Sequence, residues 1–314
     1  MAISSTVMAS RLLVRARLRH LQVLVKLGEL GSVQRAADAV GLTQPSTSHA
    51  LAELEKLFDC QLFVRHARGV TPTGMAQAVL PLARRILDTV NDCADVVSAL
   101  AGQANSVVRV AAISGAVNGI LSRVLPDFSD RHPDVLLQVQ ELDIEHIGSL
   151  LASNDVDLVL CRRPTVLPEG WVFETLLDDR FVVVCGPHHP LAKRRKTPLQ
   201  QLWTETWLLG PLASAPRRAY DELITQAGVS PPLRLISSRS PSILWSMLQK
   251  HRLVSLTPYS IARQLLDSGQ LASVNVTIPV AIEPIGVMTR KRDTGEGAQG
   301  LTAFLMGHRQ LLNQ

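Results

Sequence analysis

The spacing of apolar residues between positions 18 and 58 predicts three helices in succession. The first covers about 18–30, and the second is a short helix over about 33–40. Ser32 stands where a side chain caps the amino end of this second helix, and Gly41 stands where a left-handed residue ends it. The pattern therefore predicts two helices joined to a third by a tight turn.

The third predicted helix carries polar residues at its start and apolar residues further along. Thr43 is placed to cap it, and Pro45 falls in its first turn, where the missing N–H costs little. Its opening turns hold Gln44, Ser46, Thr47, Ser48 and His49, and its later turns hold Ala50, Leu51, Leu54, Leu57 and Phe58. This arrangement is a helix-turn-helix, which places the polar helix in a DNA major groove. An ordinary helical hairpin within a bundle is the alternative.

Residues 61–74 predict a short hairpin directly after the helix-turn-helix. A strand, a turn with Arg65, Arg68 and Gly69, and a second extended segment form a wing. Basic side chains at a hairpin tip suit contact with DNA phosphates or the minor groove. A solvated loop is the alternative interpretation.

The motifs of this segment resemble those of the LysR-type transcriptional regulators. Residues 42–46, 51–57, 62–65 and 68–74 carry the resemblance, which extends over essentially the full chain. It implies that the third helix enters the major groove. The DNA-contacting residues that it implies are Ser32, Gln34, Arg35, Thr43, Gln44, Pro45, Ser46, Thr47, His49, Arg65 and Arg68.

Residues 73–103 predict one long helix with a heptad seam. Its apolar positions step alternately by four and three residues, and they are Ala76, Leu80, Ala83, Leu87, Val90, Ala94, Val97 and Ala101. Such a seam predicts a partner helix, and a helix lying on its own domain is the alternative. Pro81 either kinks the helix or marks a later start. The resemblance implies that the helix over 74–102 forms a homodimer, with assembly to a homotetramer.

After a polar linker at 102–106, apolar runs alternate with amphipathic stretches, as in parallel sheets covered by helices. The predicted strands are 107–114, 135–140, 156–161, 181–185, 233–237, 253–257 and 282–289. The predicted helices are 118–131, 144–153, 217–227, 242–249 and 259–266. Crossings near 161–177 and 274–282 predict two α/β lobes around a cleft. In the resembling family this arrangement is similar to periplasmic solute-binding proteins.

The predicted fold is therefore an all-α winged helix-turn-helix over 15–73, a linker helix over 74–102 and a two-lobed α/β effector domain over 107–314. Lobe I takes about 107–163 and 280–314, and lobe II takes about 164–279. Such a cleft binds a small ligand at strand carboxyl ends and helix amino ends. Free N–H groups there predict a carboxylate or other anion as the effector.

The predicted effector contacts lie after the buried strands. They are Ser114, Gly115, Ala116, Val117, Arg162, Arg163, Gly210, Pro211, Thr257 and Pro258. Arg162 and Arg163 are candidates to pair with an anion. A surface position with no ligand contact is the alternative for both arginines.

Charge and composition agree with this organisation. The 314 residues are 46% hydrophobic, which is ample for a small domain and a larger two-lobed one. Residues 1–73 hold nine Lys and Arg against five Asp and Glu, so +4 of the net +5 lies in the predicted DNA-binding domain. No secretory signal is visible, and the longest apolar run, 107–125, is too polar to cross a bilayer. We expect a cytoplasmic protein with no membrane partner.

Chemistry other than binding finds little support in the sequence. The cysteines, Cys60, Cys93, Cys161 and Cys185, have neither zinc nor disulfide spacing, so we expect reduced thiols. Residues 295–300 match a dinucleotide-binding pattern formally, but they lack a complete βαβ unit, and we expect a loop. We predict no catalytic residue, metal or cofactor apart from the small effector. The alternative function is a small-molecule-binding α/β protein or enzyme without a DNA role.

Overall fold

The computed structural model describes residues 4–66, 69–102, 104–142, 147–153, 155–236, 238, 240–292 and 295–313. The chain divides into two units, Met1–Gly102 and Gln103–Gln314. The helices of the first unit are α1 (Ser5–Arg15), α2 (Leu18–Leu30), α3 (Val33–Val40), α4 (Gln44–Phe58) and α5 (Gly74–Ala101). Its strands are β1 (Phe63–His66) and β2 (Gly69–Pro72), which pair antiparallel.

Local capping determines where α3 and α4 begin and end. The Ser32 hydroxyl accepts a hydrogen bond from the backbone N–H of Arg35 at 3.4 Å. Gly41 ends α3 with a φ of 65°, a left-handed value that glycine adopts at little cost. Thr43 then caps α4 by accepting from the N–H of Ser46 at 3.4 Å. The predicted helix-turn-helix and its caps are confirmed.

An apolar core joins α2, α4 and the hairpin of the first unit. The side chains of Leu24, Leu27, Leu54 and Leu62 are fully buried in it. Each buried leucine contributes roughly 1.5–3 kcal/mol of transfer free energy. Because the core includes residues from α4 and from the hairpin, α4 and the wing are held by the same packing.

The heptad seam of α5 packs on its own unit at one end only. Its first positions, Ala76, Leu80 and Ala83, are buried in the core, whereas Val97 is 67% exposed. The alternative interpretation is therefore correct for the amino half of the seam. Pro81 lies inside a helix that begins at Gly74, so of the two alternatives for Pro81 the later start is wrong.

The apolar pattern does not predict α1. Met8, Leu12 and Ala16 are half-buried along one side, and Leu12 packs on the core of the first unit. The neighbouring Leu13 is exposed, which breaks the amphipathic pattern. α1 packs against α4.

The second unit alternates helices and strands. Its helices are α6 (Ser114–Ala116), α7 (Ser122–Arg131), α8 (Ile147–Ser153), α9 (Ala215–Ala227), α10 (Pro241–Lys250), α11 (Tyr259–Asp267), α12 (Glu296–Gly307) and α13 (Arg309–Leu312). A π-helical turn, Val117–Leu121, joins α6 to α7, and a 3-10 turn covers Leu199–Thr204. Its strands are β3 (Ser106–Ala112), β4 (Val135–Glu141), β5 (Leu158–Arg162), β6 (Trp171–Leu177), β7 (Phe181–Cys185), β8 (Val254–Pro258), β9 (Ala272–Val274) and β10 (Ile285–Arg290).

These strands form two sheets, one for each lobe. The first sheet has the order β4-β3-β5-β10-β6, in which β3 is parallel to β4 and β5. β10 returns antiparallel between β5 and β6. The second sheet has the order β8-β7-β9 with antiparallel pairs. The return of β10 to the first sheet makes lobe I discontinuous along the chain, as predicted.

The predicted start of lobe II at about residue 164 is wrong. β6 hydrogen-bonds to β10 over Trp171–Leu177 and so belongs to the first sheet. The chain crosses to the second sheet only after Leu177, and it returns before Ile285. The reason for the error is that the partner of β6 lies far along the chain, where no local pattern reveals it.

Two other predicted elements differ in the structure. At 233–237, Leu233 forms an isolated bridge to Trp207 and Leu235 is 94% exposed, while Ser237 lies outside the described residues. The predicted loop at 295–300 is instead the start of α12, whose Leu301 and Leu305 are buried in the core of lobe I.

Of the predicted helix at 144–153, α8 covers the last seven residues, and 143–146 lie outside the described residues. Across the described ranges, no helix is both long and apolar enough to span a membrane.

Candidate functional site

The amino end of α4 presents a group of exposed polar side chains. Gln44, Pro45, Ser46 and His49 are all exposed there. The hydroxyls of Thr43 and Ser46 lie 2.9 Å apart, so the cap also orients the Ser46 side chain. A rigid helix end with exposed amide, hydroxyl and imidazole groups offers both donors and acceptors to the edges of bases.

Thr47 does not belong to this exposed group. Its side chain is completely buried, on the same side of α4 as Leu51 and Leu54. The prediction that Thr47 contacts DNA is therefore corrected. Helical geometry explains the difference, because residues four and seven positions apart share a face, and here that face packs on the core.

The residues of α3 next to the recognition helix have local partners. Gln34 is exposed and donates from its amide to Asp38 at 2.9 Å. Arg35 is also exposed, and its guanidinium donates to the carbonyl of Leu30. Ser32, the cap of α3, is half-buried. These positions suit contacts to the DNA backbone beside the groove more than contacts to bases.

Glu53 links the exposed surface of α4 to α2. Its carboxylate lies 3.2 Å from Nε2 of His20, which is buried, and 3.7 Å from Nδ1 of His49, which is 75% exposed. The backbone N–H of Arg17 donates to Nδ1 of His20 at 3.3 Å. The start of α2 therefore lies beside the surface of α4 that carries His49.

The wing is anchored to α4 by one carboxylate. Oε1 of Glu55 accepts hydrogen bonds from the backbone N–H groups of Leu62 at 2.7 Å and Phe63 at 3.2 Å. Arg65 pairs with Val70 across the hairpin, and its side chain is exposed. Arg68 lies outside the described residues. No sequence pattern predicts this role of Glu55, since its partners are backbone groups.

The second unit contains a cavity of about 370 Å³ between its lobes. Seven of the predicted effector contacts line it, namely Ser114, Gly115, Arg162, Gly210, Pro211, Thr257 and Pro258. The apolar part of the lining includes Leu244, Trp245, Leu256 and Ile261. The volume suits a small organic molecule rather than a macromolecule.

Three predicted effector contacts do not line this cavity, and their assignment is corrected. Ala116 is fully buried in the core of lobe I, and Val117 packs against the same core. Arg163 donates to the Thr175 hydroxyl at 2.9 Å, and its guanidinium stacks over the ring of Phe173. Arg163 follows the last residue of β5, and both of these contacts are with residues of β6.

Arg162 reaches the cavity, but its charge is already paired. Its guanidinium lies 2.8 Å from Oδ2 of Asp179 and donates to the carbonyl of Glu283 at 2.7 Å. The Arg162 side chain is 10% exposed and that of Asp179 is 1% exposed. Asp179 also accepts from the hydroxyl of Ser260 at 2.7 Å and from its N–H at 3.1 Å. This cluster joins both chain crossings to the amino end of α11.

Arg218 is a second cation at the cavity and was not predicted. It lies in the first turns of α9, lines the cavity and donates to the carbonyl of Ala213. The Ser214 hydroxyl caps the same helix by accepting from the backbone N–H of Arg217 at 3.4 Å, and it donates to the carbonyl of Pro211 at 2.7 Å. The signal that was missed is the capped helix start near 214, which stands next to the predicted contacts Gly210 and Pro211.

The buried cysteines are poor candidates for thiolate chemistry. Burial raises the pKa of Cys161 to about 12, and its S–H donates to Sδ of Met288 at 3.4 Å. Burial, together with the nearby Glu205 carboxylate, raises the pKa of Cys185 to about 12 as well. Since the thiolate is the reactive form, both side chains stay protonated and unreactive at neutral pH.

Comparison with family models gives matches in both units. The model described as "Bacterial regulatory helix-turn-helix protein, lysR family" matches residues 18–77. The model described as "LysR substrate binding domain" matches residues 101–310. Together they cover α2 to the start of α5 and nearly all of the second unit, and α1 precedes both.

The chain is also similar to individual proteins that are named as transcriptional regulators. The chain is 31% identical over 277 residues to the uncharacterized HTH-type transcriptional regulator YdcI of Escherichia coli K12, covering 88% of this chain and 90% of that protein. It is 28% identical over 295 residues to the HTH-type transcriptional regulator GbpR of Azospirillum brasilense, covering 93% and 86%. Full-length CbnR, crystallised with its target DNA, matches with a TM-score of 0.68 at 18% identity, covering 94% of this chain and 99% of CbnR. This last likeness shows the fold.

Proposed function

Because the chain belongs to the LysR family, we propose that it contacts operator bases with the amino end of α4 and responds to a small anion bound in its second unit. Membership of the family makes it a DNA-binding transcriptional regulator with an effector-binding domain, and not an enzyme. The proposal adds the residues that contact DNA and the chemical class of the effector.

The exposed polar end of α4 supports direct contact with bases. Gln44 carries an amide that pairs with adenine through two hydrogen bonds, and Ser46 and His49 add further polar groups on the same helix end. Arg65 on β1 supplies a charge for phosphate beside the groove. The observation that carries this assignment is that α4 is capped by Thr43, has an exposed polar amino end, and packs its opposite face on the core.

The exposed half of α5 supports assembly through this helix. Val90, Val97 and Leu100 continue the apolar surface beyond the part that packs on the first unit. A second copy would cover it and form a homodimer through 74–102, with further assembly to a homotetramer. CbnR binds its target DNA with the same fold, which supports two recognition helices on a two-part operator. We propose that the protein works in the cytoplasm, where DNA is accessible.

The cavity lining supports a carboxylate with an apolar body as effector. Arg218 and the capped start of α9 supply positive charge at one wall, while Leu244 and Trp245 supply an apolar one. Arg162 contributes less free charge, since Asp179 neutralises it. A ligand that contacts both lobes stabilises their closed arrangement, and it alters transcription only if its affinity differs between the two arrangements.

Substituting Gln44 tests the assignment of base contacts. Operator fragments are first selected from genomic DNA with the full chain, and binding is then titrated against mixed-sequence DNA. We expect Gln44→Ala to reduce the preference for operator by about 5- to 150-fold, because a two-bond contact contributes about 1–3 kcal/mol of discrimination. Gln22→Ala, which removes an exposed amide from α2, serves as the control. An unchanged preference in Gln44→Ala would show that α4 contacts bases through other residues.

Substituting Arg218 tests the class of effector. Thermal unfolding of the full chain is followed by tryptophan fluorescence with aliphatic and aromatic carboxylates and with their uncharged amides. We expect some carboxylates to stabilise the protein and their amides to have no effect. Arg218→Gln should weaken such binding about 10- to 150-fold, which corresponds to the range for a lost hydrogen bond to a charged group. Arg217→Gln is the control, because Arg217 pairs with Asp221 at 2.9 Å instead. Stabilisation by the amides alone would contradict an anionic effector.

A further inference from the structure

α1 lies outside the segment that the family model covers, and its only charged residues are two arginines, Arg11 and Arg15. The model for the helix-turn-helix begins at residue 18, whereas α1 ends at Arg15. The first 28 residues hold four arginines and one lysine, Arg11, Arg15, Arg17, Arg19 and Lys26, and no aspartate or glutamate. Arg11 and Arg15 precede the matched segment, so their charge needs an explanation that the helix-turn-helix does not supply.

The arginines of α1 are available to a partner. Arg11 and Arg15 are one helical turn apart, and both side chains are exposed. Within the described residues neither takes part in an ion pair or a side-chain hydrogen bond. Two unpaired cations on adjacent turns of a helix form a site for two neighbouring anionic groups.

The position of α1 places this charge beside the recognition helix. α1 packs against α4, with Met8, Leu12 and Ala16 on the side that packs. Its carboxyl end leads directly into Arg17, whose backbone N–H donates to His20, and His20 contacts Glu53 next to His49. The end of α1 is therefore adjacent to the exposed surface of α4 that we assign to DNA.

We infer that α1 is an additional DNA-binding element whose Arg11 and Arg15 contact backbone phosphates next to the groove occupied by α4. Arginine pairs with phosphate through two parallel hydrogen bonds, and such contacts fix the register of a protein on the duplex without specifying sequence. The inference rests on the proposed function, because it requires that α4 binds DNA. It adds a binding surface on residues 5–15, which precede the segment matched to the family.

The outward side of α1 could instead bind a second copy of the chain. Val7, Leu13 and Val14 are exposed on it, and a second copy of the chain would cover such a surface. The charge favours DNA, since a self-contact through α1 would bring the same arginines of two chains together with no nearby acid in the first 28 residues. Assembly is nevertheless a separate outcome that the experiment distinguishes.

The test compares salt dependence of binding in the double variant Arg11→Gln/Arg15→Gln and in the unaltered full chain. The probe is a fluorescein-labelled duplex of mixed sequence, because phosphate contacts do not require an operator. Each lost contact lowers the slope of log K against log salt by about 0.9. The dissociation constant at about 200 mM salt is divided by that at about 50 mM salt for each protein. This ratio should be smaller in the variant by about 3.5-fold for one lost contact, and by about 12-fold for both contacts of each bound chain.

The control is Arg85→Gln/Arg292→Gln, which removes two exposed positive charges elsewhere in the chain. We expect the slope of log K against log salt to be the same for this control as for the unaltered protein. An equal loss of slope in the control would reduce the effect to net charge and overturn the inference. So would an unchanged slope in the α1 variant, or a reduced slope that sedimentation traces to loss of the dimer. Failure of the unaltered chain to bind DNA at all would overturn the proposed function too, whereas retained operator preference with no effect of α1 would overturn the inference alone.

Discussion

Asp179→Asn is expected to lower the free energy of unfolding of the second unit by about 3–5 kcal/mol, the usual cost of leaving one buried charge of a pair without its partner. The asparagine keeps the shape of the side chain and one acceptor for Ser260. It removes the charge that faces the guanidinium of Arg162, whose side chain is 10% exposed. The same change loosens the contact between both chain crossings and α11, so we also expect the response to an effector to be lost.

Tryptophan fluorescence during urea unfolding measures this effect in the full chain. The tryptophans, Trp171, Trp203, Trp207 and Trp245, all belong to the second unit, so the signal reports its unfolding. The matched control is Asp221→Asn, which removes the partner of Arg217 at the surface and should cost less than about 1 kcal/mol. An equal loss in both variants would show that burial of the Asp179 pair has no special weight. The double variant Arg162→Leu/Asp179→Leu should lose less than Asp179→Asn, because it leaves no charge without a partner.

The elements that the sequence predicts well are those that local interactions determine. α3 and α4 follow from Ser32, Gly41 and Thr43, each of which acts within four residues of itself. The heptad spacing of α5 likewise predicts a long helix correctly. Its division into a half that packs on the core and a half that is exposed depends on contacts with α2, which spacing alone does not reveal.

The errors arise where a residue's role depends on distant parts of the chain. β6 pairs with β10, so its membership of the first sheet is fixed by a segment that follows all of lobe II. Arg162 is at the cavity as predicted, but its partner Asp179 lies beyond β6, and the sequence shows a cation without showing that it is neutralised. Thr47 is polar and near the helix start, yet the helical period places it in the core. The polar side chain of Thr47 therefore predicts exposure, whereas its position on the helix buries it.

Gly69→Ala is expected to destabilise the first unit by about 2–5 kcal/mol, from backbone strain and overpacking together. Gly69 has a φ of 135°, which side chains other than hydrogen rarely allow, and a Cβ there would overlap the carbonyl oxygen of Gly31. That carbonyl also accepts the N–H of Val70 at 3.0 Å, so the hairpin would have to move away from the end of α2. We therefore expect the wing to detach and DNA affinity to fall.

Gly74→Ala, five positions further along, separates this steric effect from a general effect of removing glycine. Gly74 is the first residue of α5, and a Cβ there would meet no atom within 4 Å. We expect it to be neutral or to stabilise the helix by up to about 1 kcal/mol. Far-ultraviolet circular dichroism follows both units during urea unfolding, while tryptophan fluorescence follows the second unit alone. Gly69→Ala should therefore shift only the unfolding transition of the first unit. Because neither substitution alters charge, a fall in DNA affinity confined to Gly69→Ala would come from the geometry of the wing. Equal behaviour of the two variants would mean that the close approach of β2 to the end of α2 does not hold the wing in place.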